Sequence, residues 1–480
     1  MSRRVVAWVA SVVTVAVATT GYAVADVLDV APGILTRDRP LPAPTATAPA
    51  DIAARALPTP TLTPSPPATA DSTTAAPTPA GLKAALAGPL TDPTLGPDVA
   101  MSVRDGVTGE VLYGRGATTP HTPASTAKLL SALAIATSLD LDSTMPTRVV
   151  ALPGTKDLVL VAHGDTLLAK GRGGPGVIGR AGLGDLADEV ATNLTAGGRT
   201  SVRLRLDLSY AVGPRYPATW SMADVNAGFT QGVTMIGRGD QLPEPYKPSP
   251  ARPEREVATT LVQLLTARGV TVTLQPEATW AKPAPEGAEL LGEVHSAAYR
   301  EVVALALQTS DNALTENLVR QGAAAQGVPT PTGAASGAFI AARLREAGIS
   351  TAGLKLLDGS GLSHGQTATA QTLSEVLALA AAGTVPGLRE LVTDLPVAGL
   401  SGTLADRFDA KGTRPAAGLA RAKTGTLNGV SSLAGTTTTR EGRPLLFVVL
   451  ADQVPPASGT LAARAALDRV VTALTECGCR

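Results

Sequence analysis

Three short stretches of the chain carry the side-chain types that acyl transfer needs. Ser125 and Lys128 stand three residues apart in "PASTAKLLSALA". Ser310 and Asn312 flank Asp311 in "SDN", and Lys423, Thr424, Gly425 and Thr426 form "KTGT". An isolated Ser-x-x-Lys is commonly a lysine that runs its stem along apolar surface to water. On a helix, residues i and i+3 share a face. An amine held dry there beside a hydroxyl loses proton affinity and can take the serine proton. Ser-Asp-Asn alone reads as a helix cap, and Lys-Thr-Gly alone as a turn. Each of the three patterns occurs once, and their joint appearance by chance is on the order of one per cent.

Taken together, the patterns divide the labour of a serine acyl transfer. Ser125 is the candidate nucleophile and Lys128 its base, one turn apart in a single element whose start also favours negative charge. Ser310 is placed to relay a proton to the leaving amine, while the Asn312 amide grips the substrate backbone. Lys423, Thr424 and Thr426 fall on a strand whose free edge can pair with an extended peptide. Lys423 and the two hydroxyls can hold a carboxylate, and Gly425 leaves room for close approach of substrate backbone. The N–H groups of Thr426 and Ser125 make an oxyanion hole.

The elements that must position these residues are legible from periodicity. Alternation in "DVAMSVRD" and "EVLYGRG" around the turn "GVTG" predicts a hairpin over 98–116. A buried helix follows from Ser125, carrying Leu129, Leu130, Leu133 and Ile135 among alanines. Beyond about residue 145 come short strand-like runs, "DLVLVAHGD" and "SVRLRLDLS", separated by glycine-rich breaks, with a helical pattern in "ATTLVQLLTARG". Helical periodicity returns over 299–325, broken at Ser310, and again in "GAFIAARLREAG" and "QTLSEVLALAAA". The chain then alternates through "GLARAKTGTLNGVSSLAGTTTT" and "PLLFVVLAD" as antiparallel strands, and closes on a helix over about 459–474.

Composition bounds the rest. With 480 residues, 44% of them apolar and only 3% aromatic, the chain can bury a large core built from Ala, Val and Leu. Lys+Arg equals Asp+Glu at 40 each, and no basic cluster stands out, which argues against nucleic acid as a partner. His121, His163, His295 and His364 are scattered, and no metal-ligand spacing is present. No cofactor is called for. Cys477 and Cys479 sit so close that a bond between them closes a strained ring, and they are assigned no role. Arg3 and Arg4 precede the uncharged "VVAWVASVVTVAVATTGYAVA", which reads as a cleaved signal peptide or an uncleaved membrane span over 1–35. Residues 36–80, rich in Pro, Thr, Ala and Ser, read as an extended tether. Either way the body is exported to the cell envelope, secreted or anchored through its N-terminal segment.

With these motifs in order, the chain resembles the type-4 (class C) low-molecular-mass penicillin-binding proteins, a D-alanyl-D-alanine carboxypeptidase/endopeptidase family. The likeness runs over about residues 82–474. It includes "VAMSVRDGVTGEVLYGRGA", "DGSGLS" at 358–363 and "LPVAGLSGTLADRF". The long interval between Lys128 and Ser310 fits this family's insertion and is too long for class A β-lactamases. The resemblance implies an α/β (α+β) transpeptidase-like fold, an antiparallel sheet flanked by helices, with a catalytic domain of 81–145 and 286–480 interrupted by inserted subdomains over 146–285. It implies hydrolysis of peptidoglycan stem peptides and their cross-links, and acylation of Ser125 by β-lactams. Two other activities share the chemistry: a tethered penicillin-binding scaffold or sensor with little turnover, and a β-lactamase, which the spacing and the lack of a deacylating glutamate oppose. Family members commonly carry Gly-Gly-Gly-Asp-Pro in the insertion and an arginine after "DGSGLS". Here the first reads "VAHGDTLLA" with Asp165, and the second is His364. Both positions resemble ones that recognise the stem-peptide side chain, so a titratable imidazole stands where a fixed cation is usual.

Overall fold

The computed structural model describes residues 74–479, all within one compact unit. The signal or anchor segment and residues 36–73 of the tether lie outside the described residues. The folded body begins slightly earlier than its composition indicates. A helix, Pro79–Ala87, starts within the proline-rich stretch because Thr78 caps it, its side chain accepting from the Gly81 N–H.

The strands run β1 (Val99–Asp105), β2 (Val111–Arg115), β3 (Thr144–Ala151), β4 (Asp157–Val161), β5 (Ser201–Asp207), β6 (Thr271–Leu274), β7 (Glu289–Ala298), β8 (Arg421–Leu427), β9 (Val430–Thr438) and β10 (Pro444–Ala451). They form two sheets, ordered β2-β1-β10-β9-β8 and β6-β5-β4-β3-β7. The first is antiparallel throughout. The expected hairpin is β1–β2, and the three C-terminal strands fill the rest. Because side chains alternate across a strand, β10 serves two cores at once. Leu446, Val448 and Leu450 face a helical layer, while Leu445, Phe447, Val449 and Ala451 face the terminal helices Pro79–Ala87 and Gly459–Thr475. That double burial is why "PLLFVVLA" reads as one continuous apolar run.

The second sheet is mixed: β4–β5 and β5–β6 are parallel, and β3 is antiparallel to both β4 and β7. Its core packs Leu158, Leu160, Leu204 and Leu206 with Leu186 and Val190 of the helix Leu183–Ala196 and Leu261 of the helix Pro253–Thr266. The first of these helices follows the glycine-rich stretch and lacks a side-chain cap, so its start has no local sequence signal. β7, placed by sequence outside the insertion, closes this sheet against β3. Cys477 and Cys479 are joined in a disulfide. Among the described residues, no helix is long and apolar enough to cross a membrane.

Candidate active site

The nucleophile segment threads between the first sheet and the helices. Ser125 lies on a short 3-10 turn, Ala124–Ala127, rather than on the α-helix itself, which starts at Lys128 and runs to Ala136. Ala124 has φ +48°, a left-handed conformation unusual for a residue with a Cβ and a form of strain that collects at functional sites. The segment is pinned from β9 by the Ser432 hydroxyl, which donates to the Pro123 carbonyl at 2.8 Å. It is also pinned by His121, whose Nδ1 lies 2.8 Å from the Asp452 carboxylate.

Lys128 is fully buried. Its Nζ is 2.9 Å from Ser125 Oγ, 2.6 Å from Asn312 Oδ1 and 2.8 Å from the Ser360 carbonyl oxygen. Asn312 Oδ1 and Ser360 O can only accept, so they occupy two N–H bonds of the amine. The third direction meets a hydroxyl that can donate, and an amine with two hydrogens and a lone pair satisfies all three contacts. Burial brings the lysine down to about 7, opposed in part by Asp358 and Asp311.

Asn312 opens the helix Asn312–Ala325, and Ser310 closes Tyr299–Thr309 in a left-handed conformation at φ +60°. The break seen in the helical periodicity is therefore a sharp corner that turns both side chains to one side. Asp311 between them is the cap, accepting from the Leu314 N–H at 2.9 Å.

From the other side comes β8, an edge strand paired with β9, Lys423 opposite Ala434 and Gly425 opposite Ser432. Lys423 is buried and donates to the Thr424 carbonyl at 2.9 Å. Burial first, then the neighbouring Lys128, holds its amine well below the usual lysine range. Gly425 has a packing role that the sequence does not show. A Cβ there would stand 2.7 Å from Pro123 O and 3.1 Å from the Ala124 Cβ, so the glycine admits the nucleophile segment against β8.

Ser125, Ser310, Asn312, Thr424, Thr426 and His364 line one cleft of about 810 Å³. Asp165 is not among its lining residues. Its carboxyl is buried, accepts from the Leu167 N–H at 2.8 Å and is pushed up by burial to about 7. The cleft also presents Asp224 and Phe229 from the inserted stretch, with Arg407 before "KTGT" in the chain and Arg464 after it. Arg407 falls within "LPVAGLSGTLADRF"; Asp224, Phe229 and Arg464 have no local sequence signal, and tertiary packing delivers them. "DGSGLS" also has a visible purpose. Asp358 accepts from the N–H groups of Ser360, Gly361 and Ser363 and from Trp220 Nε1, which fixes the Ser360 carbonyl against Lys128.

A cleft in which Ser-x-x-Lys, Ser-x-Asn and Lys-Thr-Gly converge between an antiparallel sheet and helices is that of a penicillin-binding serine peptidase. The chain belongs to the D-Ala-D-Ala carboxypeptidase 3 (S13) family, whose profile matches residues 82–240 and 238–474. It is 36% identical to Carboxypeptidase DacB of Mycolicibacterium smegmatis over 427 residues, 86% of this chain and 89% of that protein. A carboxypeptidase of Mycobacterium tuberculosis is 35% identical over 415 residues, 85% of this chain and 86% of the relative. The fold matches that of penicillin binding protein 4 (dacB) from Haemophilus influenzae with a TM-score of 0.62 at 18% identity, covering 82% of this chain and 98% of the other.

Proposed function

We propose that the protein is a serine D-Ala-D-Ala carboxypeptidase/endopeptidase that cleaves peptidoglycan stem peptides through an acyl-enzyme on Ser125 and is acylated by β-lactams. The observation that carries this reading is the dry Lys128 amine, held by two acceptors with its remaining valence on Ser125 Oγ. Ser125 Oγ attacks the penultimate D-Ala carbonyl as Lys128 Nζ takes its proton. The tetrahedral oxyanion forms beside the N–H groups of Ser125 and Thr426, on the 3-10 turn and on β8. Ser310, on the cleft wall, relays the proton taken by Lys128 on to the departing amine, so the lysine is neutral again and Ser310 keeps its hydroxyl, and Asn312 binds the substrate backbone while orienting Lys128. Water then attacks the ester with Lys128 again as base, releasing the shortened peptide and regenerating the serine.

Lys423, Thr424 and Thr426 receive the C-terminal end of the substrate. His364 faces the stem-peptide side chain, whereas the burial of Asp165 argues for an indirect part in shaping the insertion. We assign the protein to the extracytoplasmic envelope, tethered through 36–80 if the N-terminal segment stays uncleaved, with residues 146–285 as an inserted subdomain region.

Mass spectrometry tests this directly, using the purified protein with a synthetic stem pentapeptide ending in D-Ala-D-Ala and then with penicillin. Release of one alanine and a penicilloyl adduct on Ser125 is expected. An adduct without cleavage of either pentapeptide or cross-linked dimer would favour the sensor reading, and peptide cleavage by Ser125→Ala would remove the serine from the mechanism.

A further inference from the structure

We infer that Arg464 is the fixed cation that receives the carboxylate of the departing D-amino acid, one carbon from the scissile nitrogen. This rests on the proposed peptidase activity and adds a specificity-determining residue to it.

The cleft is charged unevenly. Asp224 is the one acidic residue on its lining, while Arg407 and Arg464 both line it. The two arginines are not equivalent. Arg407 is neutralised, its guanidinium 2.5 Å from the Asp468 carboxylate, with both side chains about nine-tenths buried. The same guanidinium also donates to the Arg464 carbonyl at 3.1 Å. Arg464, near the start of the helix Gly459–Thr475, has no carboxylate within ion-pair distance among the described residues. Its guanidinium donates to Thr426 Oγ1 at 3.3 Å, and Arg464 lines the cleft together with Thr403, Thr424 and Thr460. A half-buried cation next to a second cation, with the nearby acid already engaged, suits a carboxylate ligand.

The lysine that the sequence points to for this task is poorly suited to supply the charge. Lys423 spends a donor on the Thr424 carbonyl, and burial together with Lys128 disfavours its ammonium form. Burial and then Arg407 also pull Arg464 down, but a guanidinium stays protonated in proteins. Thr424 and Thr426 alternate onto the cleft face of β8 and supply neutral donors. Arg464 supplies the charge, and its planar fork matches a carboxylate.

The experiment compares kcat/KM for one stem peptide ending in D-Ala-D-Ala as the free acid and as its C-terminal carboxamide. The wild-type protein should prefer the acid by about 10- to 100-fold, the worth of one charged hydrogen-bonded contact. Arg464→Ala and Arg464→Gln should each bring that ratio below about threefold by slowing the acid, and Arg464→Lys should restore part of it. Equal losses on acid and amide in both neutral variants would overturn the assignment and mark Arg464 as structural. Equal wild-type rates on acid and amide would overturn it alone, leaving the peptidase reading intact. A wild-type protein inert to both substrates and unlabelled at Ser125 would overturn the proposed function and this inference together.

Discussion

Lys128 shows how a residue common on surfaces becomes a base. Its stem is packed in the helical core, so its ammonium form has no water, and the three partners of Nζ match an amine that carries a lone pair. With its proton affinity brought to about 7, the neutral fraction grows as pH rises through that value. The second-order rate of Ser125 acylation by penicillin should therefore increase with pH up to and beyond about 7 and then level off. A rate independent of pH between 5 and 9 would exclude Lys128 as base. Lys128→Arg should lower acylation by at least about 100-fold, the lower range for loss of a general base, because a guanidinium stays charged.

At the scale of elements, the loop 358–363 acts as a template for the nucleophile segment. Burial pushes Asp358 up, but donors from Ser363, Trp220 and Gly361 outweigh it and hold the carboxyl below the usual carboxylate range. Glu316, on the helix that starts at Asn312, accepts from the Gly359 N–H at 2.7 Å, so the loop and the Asn312 corner are one unit. Gly361 makes the contact possible. It sits at φ +83°, and a Cβ would fall 2.0 Å from the Ala124 carbonyl oxygen. Gly361→Ala should cost about 1–3 kcal/mol from the backbone conformation alone, read by urea denaturation. It should also slow penicillin acylation more than tenfold by displacing Ser125, and a variant of wild-type stability and rate would refute the template role.

Across the whole molecule, the cleft exists because distant parts of the chain meet: β8 of the first sheet, the Ser310–Asn312 corner, Leu362 and His364, and Asp224 and Phe229 of the inserted stretch. One tie between sheet and nucleophile segment is ionic: His121 is buried, with Nδ1 2.8 Å from Asp452 and Nε2 3.9 Å from Asp98. The hydrogen bond to Asp452 raises the imidazole above its ordinary value despite burial. A group raised on folding contributes its stability fully below its unfolded pKa, about 6.5, and loses it as pH climbs through the folded value. Thermal melting should therefore show His121→Ala most destabilised relative to wild type near pH 5.5, with the gap narrowing above neutrality. A gap that widens with pH would contradict the charged pair.

Much of this protein could be read from its sequence, for a physical reason in each case. Ser125 with Lys128, the Ser310–Asn312 corner and Lys423–Thr426 are each short local patterns, and local patterns are set by helix and strand periods. The run "PLLFVVLA" and the hairpin over 98–116 follow from the same periods. What the sequence leaves open depends on contacts between residues far apart in the chain. Asn312 reaches Lys128 from 184 residues away and Ser360 from 232. Gly425 lies against Pro123 and Ala124 of the nucleophile segment, about 300 residues earlier in the chain, a contact its local sequence does not show. Asp165 looked like a cleft residue until packing closed over it. Arg464 carried no signal at all, because its meaning lies in its distance from Thr426 and in Asp468 already being engaged by Arg407. Residue type and spacing determined the chemistry; tertiary packing decided which charges and carbonyls face it, since only folding removes water and brings those groups within bonding distance.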